Sequence, residues 1–116
     1  MLKWFRGLLG GGTDSPANVS AVEAQQLVKN GAVILDVRSK GERQATQIPG
    51  SRHIPVEQLA SQLGQLSLTE VIVCQCASGH RSSLAARQLR AQGFDARTLS
   101  GGITAWENAG LPVKKG

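Results

Sequence analysis

Apolar positions along this chain follow two rhythms. Ala21, Ala24, Leu27 and Val28 recur on one helical face behind Ser20 and Glu23, a capping-box pair, so the pattern predicts a helix that starts at Ser20 and stops at Gly31. AVILDV, residues 32–37, is instead a continuous apolar run of strand length, and EVIVCQ, residues 70–75, is a second. The polar stretch from Gly41 to Pro49 shows neither rhythm and reads as irregular. PVEQLASQL, from Pro55, reads as a short helix with proline in its first turn. Helical spacing returns from Ser82 to Ala91, with Leu84, Ala85 and Leu89 turned inward and a stop near Gly93. DARTLS (95–100) is a weaker strand, and ITAWENAG forms a last short helix before LPV closes the chain. Continuous apolar strands separated by helices specify an α/β fold: a central, mostly parallel sheet flanked by helices in three layers.

Residues 1–18 stand apart as an arm, and residues 19–116 form the single domain. Leu2, Phe5, Leu8 and Leu9 fall at roughly helical spacing beside Lys3 and Arg6, until GGGTDSPANV breaks the pattern. The arm reads as a frayed extension, as an amphipathic segment making weak membrane or protein contact through residues 2–9, or as a segment packed on the domain.

Composition narrows the function classes. A chain of 116 residues has room for one domain. Trp4, Phe5, Phe94 and Trp106 are its aromatic residues, so the core is mainly aliphatic. The net charge of +5 favours small anions and acidic protein surfaces. The basic residues are scattered and not interleaved with aromatics, which argues against nucleic acid. Cys74 and Cys76 are too close in sequence to staple a secreted fold. MLKWFRGLLGGG lacks the pattern of a secretory leader, and no run reaches membrane-spanning length, so a reducing, cytoplasmic setting is expected. His53, Cys74 and Cys76 lack the regular spacing of a zinc site, and no metal is expected.

Cys76 marks the candidate chemistry. It sits where the second apolar run ends and the loop ASGHR leads into a helix. Ligands of open α/β sheets bind beyond the carboxyl ends of the strands. The free N–H groups of a helix start, with Gly79 allowing a tight turn, can curl into an anion-binding nest. A thiol inside that nest ionises more readily. Cys76 is therefore the expected nucleophile, in a cradle of Ala77, Ser78, Gly79, His80, Arg81 and Ser82; the alternative is an inert buried cysteine. Ser82 reads as the helix cap, and His80 as a solvent-facing spacer or a proton carrier. Arg81 either steers an anion or braces the loop. Asp36 and Arg38 follow the first strand, where Asp36–Arg81 and Arg38–Glu42 are the candidate supporting pairs; otherwise they are surface charges. By strand alternation Cys74 shares a side with Ile72 and Cys76, as a core thiol or a resolving one. Trp106 is expected to pack beneath the cradle.

Four segments together resemble the rhodanese family, the small single-domain sulfurtransferases: LDVRSKGE (35–42), QIPGSRHIP (47–55), CASGHRS (76–82) and GGITAWENAGLPV (101–113). The resemblance spans residues 19–113. It implies a rhodanese-like domain and a two-step relay. Cys76 takes the outer sulfur of a donor such as thiosulfate, becomes a persulfide, and passes that sulfur to cyanide or a thiol without a cofactor. It also implies that Arg81 is mainly a brace. Ala77 stands where the family often carries arginine or lysine, which makes a persulfide delivered by a protein or small thiol a credible donor. Gln47 stands where the family's histidine is expected. Two other readings are a non-enzymatic binding module and a phosphatase or arsenate reductase. The enzymes of the latter group resemble this fold but carry a Cys-to-Arg loop one residue longer.

Overall fold

A computed structural model describes residues 17–116. The predicted apolar face of residues 2–9 lies outside the described residues. The elements run β1 (Asn18–Val19), α1 (Ala21–Lys29), β2 (Val33–Asp36), α2 (Lys40–Ala45), β3 (Arg52–His53), two 3₁₀ turns (Val56–Ser61 and Leu63–Gln65), β4 (Val71–Gln75), α3 (His80–Ala91), β5 (Asp95–Leu99) and α4 (Gly102–Asn108). The five strands form one sheet in the order β1-β5-β4-β2-β3, and every pairing is parallel. All carboxyl ends therefore meet at one edge, with β4 in the middle.

The two long apolar runs are continuous because both faces of the sheet are covered. On one face Leu35, Ile72, Cys74, Cys76 and Ala96 pack against Ala85, Ala86 and Leu89 of α3 and against Leu59 of the first 3₁₀ turn. On the other, Val19, Ile34, Val73 and Leu99 pack against Ala21 and Ala24 of α1 and Ile103 and Trp106 of α4. The result is three layers. Trp106 thus lies across the sheet from Cys76, not beneath its loop. Its indole Nε1–H donates to Pro112 O at 2.7 Å, which holds the C-terminal tail, and Gln47 and Lys114 exchange backbone hydrogen bonds beside it.

The capping box of α1 is formed: Glu23 N–H donates to Ser20 Oγ at 3.1 Å and Ser20 N–H to Glu23 Oε1 at 2.8 Å. Ala21 and Ala24 are buried and Leu27 packs beside them, but Val28 is exposed, one position beyond the narrow face of this short helix. Leu84 is likewise exposed. The buried stripe of α3 is Ser82, Ala85, Ala86 and Leu89, a regular i, i+3, i+4, i+7 set that a serine opens, and Leu84 falls off it.

Three further segments depart from the pattern reading. Lys40–Ala45 is helical rather than irregular, held by a second capping box in which Ser39 and Glu42 exchange hydrogen bonds. It buries no residue, so no apolar rhythm announces it. PVEQLASQL forms the two 3₁₀ turns in place of a helix, and Pro55 precedes the first of them. Helix α3 begins at His80, two residues early, because Gly79 turns the chain at φ 114° and takes the cap position.

Candidate active site

β4 delivers Cys76 to the edge where the strands end, and α3 begins four residues later. The thiol is buried, with 1% of the residue exposed. Gly79 N–H donates to Cys76 Sγ at 3.0 Å and Ser82 N–H at 3.4 Å, while Ser82 Oγ lies 3.5 Å away. Burial pushes this thiol up. The Ser82 hydroxyl and the N–H groups of Ser82, Gly79 and Ser78 more than offset that, leaving it below its ordinary value. The nest expected from the helix start is therefore present, and it closes around sulfur.

Ser82 is not the cap of α3. It is the third residue of the helix, fully buried, with its Oγ 3.2 Å from Gly79 O and 2.5 Å from Thr98 Oγ1. His80 and Ser78 are exposed at the rim, and Ala77 is half-buried.

The opposite side of the loop is held by α4. Ile103 N–H donates to Cys76 O at 2.9 Å, and Thr104 Oγ1 donates to Ala77 O at 3.2 Å. Gln75 Nε2 also donates to Cys76 O, at 3.1 Å. Gly102 is the closest approach: at φ +60°, a Cβ there would run into the carbonyl oxygens of Cys76 and Ala77. Gln75, Thr98, Gly102, Ile103 and Thr104 were not singled out from the sequence. The paired glycines at 101 and 102 are a local signal and Gln75 adjoins Cys76 in the chain; Thr98, Ile103 and Thr104 act across chain separations that no pattern encodes.

The supporting charges pair differently from either candidate arrangement. Arg38 folds back on Asp36, with Nε to Oδ1 at 3.0 Å and Nη2 to Oδ2 at 2.9 Å, and its backbone N–H also donates to Oδ1 at 3.0 Å. Arg43 Nη1 adds a longer contact to Asp36 Oδ2 at 3.4 Å. Both Asp36 and Arg38 are buried, so neither is a surface charge. A carboxylate closing a buried strand needs several donors, and an arginine two residues on can reach both of its oxygens. Arg38 Nη2 also donates to Thr46 O at 2.6 Å, and His53 Nε2 lies 2.8 Å from Arg38 O.

Glu42 is thus left for Arg81. Arg81 Nη1 and Nη2 donate to its two carboxylate oxygens at 2.7 and 2.8 Å. That bidentate grip holds the Glu42 carboxyl down at about 2, and Glu42 in turn raises Arg81. With both terminal nitrogens engaged, Arg81 ties the end of the loop to α2 instead of reaching for an anion.

Cys74 is fully buried in the same cluster as Cys76, and both thiols are free. Burial, then the neighbouring Cys76, pushes the Cys74 thiol up to about 12. It is protonated near neutral pH. Among the described residues no three His, Cys, Asp or Glu side chains gather into a metal-holding group, and no helix is long and apolar enough to cross a membrane.

Residues 20–109 match the family model of the rhodanese-like domain. The chain belongs to the rhodanese family. It is 34% identical over 89 residues to the thiosulfate sulfurtransferase GlpE of Ectopseudomonas mendocina, covering 76% of this chain and 82% of that one. It is 36% identical over 85 residues to an HTH-type transcriptional regulator of Mycobacterium tuberculosis; the match covers 72% of this chain and 38% of the regulator. In three dimensions it superposes on a rhodanese-related protein from Thermoplasma volcanium with a TM-score of 0.79 at 29% identity, covering 84% of this chain and 96% of the other. It is a rhodanese-type enzyme of the sulfurtransferase class.

Proposed function

We propose that this rhodanese carries a sulfane sulfur as a persulfide on Cys76, taking it from a persulfide donor in preference to thiosulfate and passing it to a thiol or to cyanide. The observation that supports this most is the ring around Cys76 Sγ, to which Gly79 N–H and Ser82 N–H donate and beside which the Ser82 hydroxyl lies at 3.5 Å. The Cys76 thiolate attacks the outer sulfur of the donor; a new S–S bond forms, the donor's S–S bond breaks, and the donor leaves with that electron pair as a thiolate or as sulfite. An acceptor thiolate or cyanide then attacks the terminal sulfur, and the Cys76 thiolate returns. No net oxidation occurs, so the cycle closes without cofactor or metal. Preorganised N–H donors stabilise the charge the terminal sulfur carries, and the covalent relay divides one displacement into two.

Donor choice follows from charge. Ala77 brings no cation to the rim, and the guanidinium of Arg81 is neutralised by Glu42. The backbone field that remains suits a singly charged persulfide, from a small thiol or a protein, better than the thiosulfate dianion. A reducing, cytoplasmic setting keeps the Cys76 thiol available for this chemistry. The test is single-turnover transfer to cyanide from glutathione persulfide and from thiosulfate, with C76S as the blank. We expect the persulfide to react with the higher kcat/KM and C76S to be silent; transfer by C76S overturns the relay, and a preference for thiosulfate overturns the donor assignment.

A further inference from the structure

Ser82 Oγ stands among three polar groups: Cys76 Sγ at 3.5 Å, Gly79 O at 3.2 Å and Thr98 Oγ1 at 2.5 Å. A serine hydroxyl has one proton and two lone pairs, so the direction of each hydrogen bond decides what the sulfur meets. Thr98 lies on β5, the strand beside β4, and is 4% exposed. Its hydroxyl meets Ser82 Oγ, and among the described residues no other hydrogen bond is made by that hydroxyl. A buried O–H without an acceptor is costly, so Thr98 donates and Ser82 accepts. Ser82 then cannot spend its own proton on Thr98. Its remaining acceptors are Gly79 O and the sulfur, and both belong to the loop.

We propose that Thr98 is a positioning residue that acts through Ser82: by donating into Ser82 Oγ it commits the Ser82 proton to the Cys76 loop, where it stabilises the charged sulfur. The inference rests on the reading of Cys76 as the sulfur-carrying nucleophile. With the thiol protonated, S–H donates to Ser82 Oγ while Ser82 donates to Gly79 O, and every hydroxyl proton has an acceptor. On ionisation the Ser82 proton turns to the sulfur. Gly79 O is not orphaned by the turn, because Ser83 N–H also donates to it at 3.1 Å. Thr98 stays in place throughout, and its donation polarises the Ser82 O–H and strengthens the bond that O–H gives.

The other charged and titratable groups around the loop are the same in every variant used below. They are Arg81 of α3 with its partner Glu42 of α2, His80 at the rim, Cys74 of β4, Asp36 at the end of β2 with Arg38 and Arg43, and Arg87 and Arg90 of α3, which line the same hollow as Thr98.

The pH dependence of Cys76 alkylation by iodoacetamide reads the effect without any sulfur donor. Intact mass follows the first adduct, and C76S corrects for Cys74. We expect the T98V midpoint to lie roughly half to one pH unit above wild type, and T98S, which keeps the hydroxyl, to restore it. In an S82A background T98V should move the midpoint no further. A wild-type midpoint in T98V, or an equal shift with and without Ser82, overturns the proposal. T98A provides the same readout if T98V does not fold. Persulfide formation by the wild type, measured separately, decides whether Cys76 carries sulfur at all, so the two failures remain distinct.

Discussion

Arg81 and Glu42, thirty-nine residues apart, meet in a two-pronged ion pair of 2.7 and 2.8 Å that joins the first turn of α3 to α2. The same glutamate caps α2 through Ser39. One carboxylate therefore fixes both the short helix after β2 and the exit of the cysteine loop. The pair closes the loop and removes a free cation from its rim.

Its pH dependence follows from the depressed Glu42 carboxyl, about 2 in the fold against an ordinary 4.5. The stability this group adds is fully present above pH 4.5 and is lost as pH falls through about 2. Urea unfolding of wild type and E42Q across this range should show a gap above pH 4.5 that narrows on acidification. Because both side chains are partly exposed, added salt should narrow it too. A gap that widens toward low pH would contradict the pairing.

We expect Ala77 to set donor choice. Placing a cation there by A77R should raise kcat/KM for thiosulfate by about tenfold relative to glutathione persulfide, and the gain should fall with ionic strength. Steady-state kinetics with both donors at two salt concentrations decides it. An equal effect on both donors would mean that charge at the rim does not set the preference.

Gly102 and Gly110 make a controlled comparison. Both have positive φ, +60° and +78°, but a Cβ at Gly102 meets the Cys76 and Ala77 carbonyls while Gly110 faces open space. G110A should cost about 1–2 kcal/mol and leave transfer unchanged. G102A should cost roughly 2–5 kcal/mol and slow transfer by about a hundredfold through displacement of the loop. Equal activities in the two folded variants would show that α4 does not position the loop.

Asp36 and Arg38 form a buried pair, with 0% and 5% of their side chains exposed. D36A leaves Arg38 uncompensated and should destabilise the protein by about 3–5 kcal/mol in urea unfolding. A loss below about 1 kcal/mol, the range of surface pairs, would contradict the burial.

Much of this fold is legible in the chain. AVILDV and EVIVCQ read as strands because the sheet is covered on both faces, and Ser20 with Glu23 announces α1 because a capping box is a local device. The cradle is legible for the same reason: Cys76, Gly79 and the start of α3 lie within a few residues of one another. What escapes is non-local or unmarked. Lys40–Ala45 buries nothing and so has no apolar rhythm, and β1 and β3 are two residues each. The charge pairs depend on which partner the fold brings near, and the pattern alone leaves Asp36, Arg38, Glu42 and Arg81 interchangeable. Ser82 looks like a cap in sequence because serine usually is one; the fold turns it inward to meet Thr98.

The most direct test of the central claim is intact mass after brief exposure to thiosulfate or glutathione persulfide, on wild type, C74S and C76S. We expect a gain of one sulfur atom in wild type and C74S and none in C76S. No gain in wild type with either donor, or the same gain in C76S, would contradict a persulfide relay at Cys76.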